Sequence, residues 1–157
     1  MKRSICTVAL LLALPLSLIA QEDQFFDSDG VRIRYVEAGS GQPVLLAHGF
    51  TGSLDSAWMA TGVFKNLVED YHVIAFDHRG HGKSGRPREA ADYGTKMSLD
   101  MIRLLDHLGI EKAHFIGYSM GARTVFKLMV TFPERVLTTT LGATPPRRGP
   151  RNEAATQ

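Results

Sequence analysis

The sequence predicts an α/β fold built on a mostly parallel sheet, and three observations carry that expectation. Short apolar runs alternate with longer stretches of helical periodicity. The later runs are apolar at nearly every position, as strands covered on both faces must be. Gly109 and Pro133 stand where the last two helical stretches should stop. Strand and helix signals taking turns along a chain place helices against the faces of a parallel sheet.

The first element follows from Val31, Ile33 and Tyr35 alternating with Arg32 and Arg34 after the turn Asp27-Ser28-Asp29-Gly30. Period-two alternation beside a turn reads as a half-exposed hairpin at a sheet edge. Val44 to Ala47, Val73 to Phe76, Ala113 to Ile116 and Val136 to Leu141 are the expected buried strands. Helices are expected over Ala57 to Val68, over the segment where Met97, Met101, Leu104, Leu105 and Leu108 recur before Gly109, and over Met120 to Phe132, stopped by Pro133. No internal repeat is visible. A Pro/Arg-rich tail at 145–157 is expected to be disordered.

With 157 residues, 44% hydrophobic and 22% charged, the chain suits one domain and leaves no length for a second. At the start, Lys2 and Arg3 precede an apolar stretch from Ile5 to Ala20, and Gln21-Glu22-Asp23 turns polar at once. This is the build of a secretory signal peptide, expected to be cleaved after Ala20 and to send the protein out of the cytoplasm, to the periplasm or beyond. A membrane anchor fits less well, because the run is shorter than the roughly 20 residues a span needs and contains Pro15. The folded domain would then occupy residues 21–144.

Loss of the leader removes two of the 18 basic residues and none of the 16 acidic ones, which leaves 16 of each. A neutral mature chain, with the remaining basic excess of Arg147, Arg148 and Arg151 against Glu153 lying in the tail, argues against nucleic-acid binding. The single cysteine, Cys6, lies in the leader, so the mature chain has neither a disulfide nor thiol chemistry.

Residues 117–121 read Gly-Tyr-Ser-Met-Gly, the pattern G-x-S-x-G, between an apolar strand and a helix. Glycines at 117 and 121 permit the tight turn and close packing that lift Ser119 into an exposed position at the carboxyl end of the sheet. There Ser119 is a candidate nucleophile. The Met120 amide, at a helix N-terminus, could donate to a developing oxyanion. A second donor should come from the loop after the strand ending at Ala47, where His48-Gly49-Phe50 offers the Phe50 amide. His48 and Gly49 then belong to that loop as support. The pentapeptide alone is common in turns; the strand before it, the helix after it and the upstream loop give it meaning.

These segments, together with Asp77 to Pro87 (DHRGHGKSGRP), Leu104 to Gly121 (LLDHLGIEKAHFIGYSMG) and Phe132 to Val136 (FPERV), resemble the first half of an α/β-hydrolase of the esterase, lipase and cofactor-free haloperoxidase group. The resemblance covers about residues 25–144. It implies an eight-stranded sheet of which this chain reaches the sixth strand, with no cofactor and no metal, and with a small ester-like molecule as substrate. Related epoxide hydrolases and haloalkane dehalogenases carry aspartate at the elbow. Serine at 119 therefore points to acyl chemistry on carboxylic esters or similar carbonyl compounds.

Two other motifs lead elsewhere. Gly80 to Gly85 satisfies G-x-G-x-x-G, but three residues separate it from the strand and Arg86-Pro87 follows where a helix should open. Gly82-Lys83-Ser84 ends like a phosphate loop, yet Asp77 stands where that motif needs its first glycine. The segment is better read as a glycine-rich loop with Asp77 and Arg79 structural. His78 and His81 lack a credible third metal ligand and are expected to be solvated loop residues. His72, His107 and His114 are expected to be polar residues on strands and a helix.

In this fold the triad follows the order serine, acid, histidine. After Ser119 the sequence holds only Glu134 and Glu153 as acids and no histidine. The expectation is a fragment of a full hydrolase, or a remnant that binds without turnover. A sheet ending at the sixth strand should also leave Leu137 to Thr140 unpaired along one edge and strip cover from Leu45, Val73 and Ile74.

Overall fold

The computed structural model describes residues 22–143; the expected leader and the 145–157 tail lie outside the described residues. Six strands, β1 (Gln24–Ser28), β2 (Val31–Ala38), β3 (Pro43–Ala47), β4 (His72–Phe76), β5 (Ala113–Tyr118) and β6 (Val136–Gly142), form one sheet in the order β1-β2-β4-β3-β5-β6. β1, β2 and β4 pair antiparallel in turn, whereas β4, β3, β5 and β6 run parallel.

Side chains of a strand alternate between faces, and here both faces are filled. Leu45, Ala47, Ile74, Phe76, Ala113 and Phe115 pack with Met101, Leu104 and Leu105 of α2 (Thr95–His107) and with Val125 and Leu128 of α3 (Met120–Thr131). Val36, Val44, Leu46, Val73 and Ala75 face the other way, against Leu54, Trp58 and Phe64. That is why the central strands read as apolar throughout. Leu45, Val73 and Ile74 are wholly buried, contrary to the expectation that they would lose cover. The elements the chain does contain already blanket the middle of the sheet. Exposure falls instead on Phe126 and Val130 of α3 and on Leu137 of β6.

The helix expected over Ala57 to Val68 is two pieces: a π-helical turn, Asp55–Met59, and a short α1, Val63–Leu67. Gly62 lies between them at φ 76°, a left-handed conformation that ends one helical run before the next begins. α2 and α3 match the expected segments to within two residues at each end. Gly109, at φ 69°, follows α2 as the expected stop.

The hairpin β1–β2 also forms, but Arg34 is buried where alternation placed it outward. The period was right and the surroundings were not. Arg34 faces the same side as Val36, and the π-helical turn after β3 covers that side with Asp55. A guanidinium there must be paired.

From β3 the chain crosses to β4 on one side, then returns to β5 on the other. Strand order thus reverses at β3. In open α/β sheets the crevice outside the carboxyl ends at such a reversal is where ligands bind.

Candidate active site

Both segments singled out by the sequence emerge at this reversal. Ala47, the last residue of β3, is paired with Gly117 of β5, so the His48-Gly49-Phe50 loop and the 117–121 elbow leave the sheet side by side. Ser119 has φ 53° and ψ −108°, a left-sided backbone that a side-chain-bearing residue rarely adopts. The strain is held by its surroundings. The Ser119 N–H donates to the Gly142 carbonyl at 2.8 Å, tying the elbow to the end of β6.

The glycines earn their positions by proximity. A Cβ on Gly117 would lie 2.6 Å from the Gly121 carbonyl oxygen and 2.7 Å from Ala122. One on Gly121 would run into the Ala47 and His48 carbonyls, so α3 could not approach β3. A Cβ on Gly49 would sit 3.5 Å from Ser119 Cβ and 3.3 Å from the Tyr118 ring, which shows how closely the loop lies against the elbow. The Ser119 side chain does not cap α3, which leaves the Met120 amide at the open N-terminus of a 12-residue helix.

Phe50 is 69% exposed and its ring meets His81 edge-on at 5.5 Å. Tyr118, 54% exposed, touches the positions of Gly49 and Gly142 with its two ring edges. It was not singled out from sequence, where only its place before the serine could have marked it. A depression lined by Asp55, Met59, Phe64, Lys65 and Val68 includes none of these residues. Its lining belongs to the π-helical turn and α1.

Beneath the loop lies a polar foundation. His48 is fully buried; its Nδ1 lies 2.7 Å from the Gly49 carbonyl oxygen, and its Nε2 accepts the His78 N–H at 3.1 Å. Burial pushes the His48 pKa below 6.5, against the opposing pull of the Gly49 carbonyl and Asp77. His78, expected in solvent, is instead wholly buried, with its ring between Phe76 and His48 at 4.7 and 4.9 Å. Neither of its ring nitrogens has a hydrogen-bond partner among the described residues. Burial first, then His48 and His81, holds it well below the usual histidine range. The cause of the difference is the strand: β4 delivers residue 78 directly beneath the loop that follows β3.

Asp77 and Arg79 are structural, as expected. The Asp77 carboxylate accepts the Leu54 N–H at 2.7 Å, the Lys83 N–H at 2.9 Å and Arg34 at 3.2 Å. Gly82, at φ 50°, wraps so tightly on that carboxylate that no Cβ would fit. The glycine-rich loop therefore closes on the protein's own carboxylate. Arg34 also binds Asp23 and Asp55. Burial opposes its charge, but these three carboxylates outweigh it and raise its pKa. Arg79 grips Asp100 through Nε at 2.7 Å and a terminal nitrogen at 2.5 Å. No cluster of three His, Cys, Asp or Glu able to hold a metal exists among the described residues. No helix among them is long and apolar enough to cross a membrane.

A mixed sheet whose strand order reverses beside a strained serine, with the loop after β3 lying close against it, defines the class of α/β hydrolases. The chain belongs to the family described as alpha/beta hydrolase fold, which it matches over residues 42–155. It is 42% identical over 119 residues to the dihydrolipoyllysine-residue acetyltransferase component of the acetoin cleaving system of Cupriavidus necator, covering 75% of this chain and 31% of that protein. It is 36% identical over 97 residues to esterase YbfF of Escherichia coli, covering 62% and 36%. The crystal structure of epoxide hydrolase A from Mycobacterium thermoresistibile superposes with a TM-score of 0.71 at 37% identity, covering 77% of this chain and 38% of that one. The chain thus spans well under half the length of these relatives.

Proposed function

We propose that this chain carries the nucleophile half of a serine hydrolase acting on carboxylic esters or related carbonyl compounds. The observation that carries the reading is the strained backbone of Ser119, pinned by Gly142 and with Gly49 so close that a Cβ there would lie 3.5 Å from Ser119 Cβ. Ser119 Oγ would attack the substrate carbonyl carbon and its proton would pass to a base. The negative charge on the carbonyl oxygen would be met by the Phe50 and Met120 amides. Collapse of the tetrahedral species would release the alcohol and leave an acyl group on Ser119 for water to remove. Serine favours this acyl route over the aspartate-based chemistry implied for epoxide hydrolases.

The base is the missing part. No histidine follows Ser119 in the sequence, and both nitrogens of His48 are engaged. The 157 residues alone are therefore expected to hydrolyse a p-nitrophenyl ester no faster than a Ser119→Ala control. Clear Ser119-dependent turnover would mean that another base serves. Coding DNA beyond residue 157, read in all frames, should supply an acid and a late histidine, and the longer product should lose its esterase activity with Ser119→Ala. Activity surviving that substitution would overturn the nucleophile assignment. Absence of any such extension would favour a second reading, a hydrolase-like protein that binds without turnover. Export belongs to the same proposal: protein recovered outside the cytoplasm should begin at or near Gln21 by mass spectrometry, and an intact Met1 terminus there would count against it.

A further inference from the structure

Gly49 and Phe50 share one peptide bond, and that bond is where the buried histidines meet the proposed oxyanion site. The His78 amide can only donate, so His48 Nε2, which receives it at 3.1 Å, must present a lone pair. A neutral imidazole has one ring proton, and it is then on Nδ1. Nδ1–H points at the Gly49 carbonyl oxygen, 2.7 Å away. The Gly52 N–H donates to the same oxygen at 3.1 Å. Two donors from two directions fix the orientation of that carbonyl. No described peptide bond is cis, and in a trans peptide the N–H points opposite to the C=O. The Phe50 N–H is thereby aimed away from the buried histidines, on a stretch of loop that lies against Ser119.

We infer that His48 is a positioning residue, which through Nδ1–H and the Gly49 carbonyl sets the direction of the Phe50 amide. The inference rests on the reading of that amide as an oxyanion donor. A donor held in place before substrate arrives needs no reorganisation as charge develops. The groups facing the His48 ring are the Asp77 carboxylate at 4.0 Å and the rings of His78 and His81 at 4.9 and 5.5 Å. Asp77 would welcome a proton on Nε2, but its oxygens already take Leu54, Lys83 and Arg34. A proton on Nε2 would face the His78 N–H, donor against donor, and His48 would lose the bond that orients its ring. Below 6.5, as His48 charges, Nδ1–H and the Gly52 N–H still hold the Gly49 carbonyl, but the ring loses its Nε2 bond and the Gly49–Phe50 peptide should shift with it.

NMR of the ¹⁵N,¹³C-labelled 157-residue chain tests this without relying on turnover. Long-range ¹H–¹⁵N correlations should show His48 as the Nδ1–H tautomer. The Gly49 carbonyl carbon and Phe50 amide signals should hold steady above pH 6.5 and move together with the His48 ring signals as the pH falls below it. His48→Ala should shift both. His48→Asn, whose side-chain amide can replace Nδ1–H, should bring both part of the way back, which a general packing role would not do. An Nε2–H tautomer, or Gly49 and Phe50 signals unmoved in a folded His48→Ala variant, would overturn the assignment. Should His48→Ala not fold, the wild-type tautomer and the shared titration still decide. A chain that passes these tests while its longer product hydrolyses esters without Ser119 would refute the proposed function and leave the positioning role standing.

Discussion

The two edges of the sheet are finished very differently. At the β1 edge, Phe26 is buried against the ring of His107 at 5.4 Å and against Tyr35 at 6.2 Å, and the Arg32 guanidinium lies 3.4 Å over Phe25. Behind it, Arg34 draws Asp23, Asp55 and Asp77 together. At the β6 edge no residue of the strand is fully buried, Leu137 is 42% exposed, and Phe126 and Val130 of α3 stand 52% and 65% exposed. Both β1 and β6 end the sheet among the described residues, but the β1 side is closed by its own apolar and charged partners while the β6 side offers apolar surface. The difference teaches where the site's supports come from. The 48–50 loop rests on the closed side through His48 and Asp77, whereas the elbow is pinned to the open side through Gly142.

The sharpest way to break this contrast is to remove Asp77. Asp77→Ala would leave Arg34 short of a buried partner and orphan the Leu54 and Lys83 amides, and loss of one member of a buried pair costs about 3–5 kcal/mol. Urea unfolding should show loss of most of the cooperative transition; a small shift would mean that the closed side is not the anchor. Gly121→Ala acts at the junction of the two sides by pushing α3 off β3, with a destabilisation on the order of 1–3 kcal/mol typical of overpacking. Thermal melting of that variant should fall clearly below wild type, and an unchanged melt would contradict the close approach.

Acid should weaken the closed side next. The folded-state pKa values of His48 and His78 are depressed, so their contribution is fully present above the unfolded value of 6.5 and drains away as the pH falls from there towards the folded values. Melting temperatures measured from pH 8 down to 5 should drop below 6.5, and His48→Asn should reduce that dependence. A flat profile would count against burial of neutral rings. The smallest effect on stability belongs to the open side. Phe126→Lys with Val130→Lys should change unfolding free energy by no more than about 0.5 kcal/mol per site, as surface substitutions do. The same pair should convert associated protein to monomer in size-exclusion chromatography, because exposed apolar patches drive association. A wild-type chain already monodisperse would show that the open side is harmless.

Within the site, legibility followed locality. The elbow could be read because Gly117, Ser119 and Gly121 act on one another within a single turn, and the 48–50 loop because it directly follows an apolar strand. Burial of Arg34 and His78 could not. Arg34 sits at an alternating position that would be wet if no π-helical turn crossed over it, and its carboxylate partners are at 23, 55 and 77. His78 follows a strand end, and only the pairing of β4 with β3 puts it under the 48–50 loop. Tyr118 gave no sign of its contact with Gly49, which depends on β3 and β5 lying side by side.

What the amino-acid sequence determined by itself is the succession of strands and helices, their stops at Gly109 and Pro133, and the serine held between two glycines. These are local matters, decided by periodicity and by what a backbone without Cβ can do. Tertiary structure alone decided which strands are neighbours, and with that which polar side chains are buried and must find partners. Burial depends on what the rest of the chain lays over a residue, so the same arginine or histidine is surface chemistry in one fold and the foundation of a site in another.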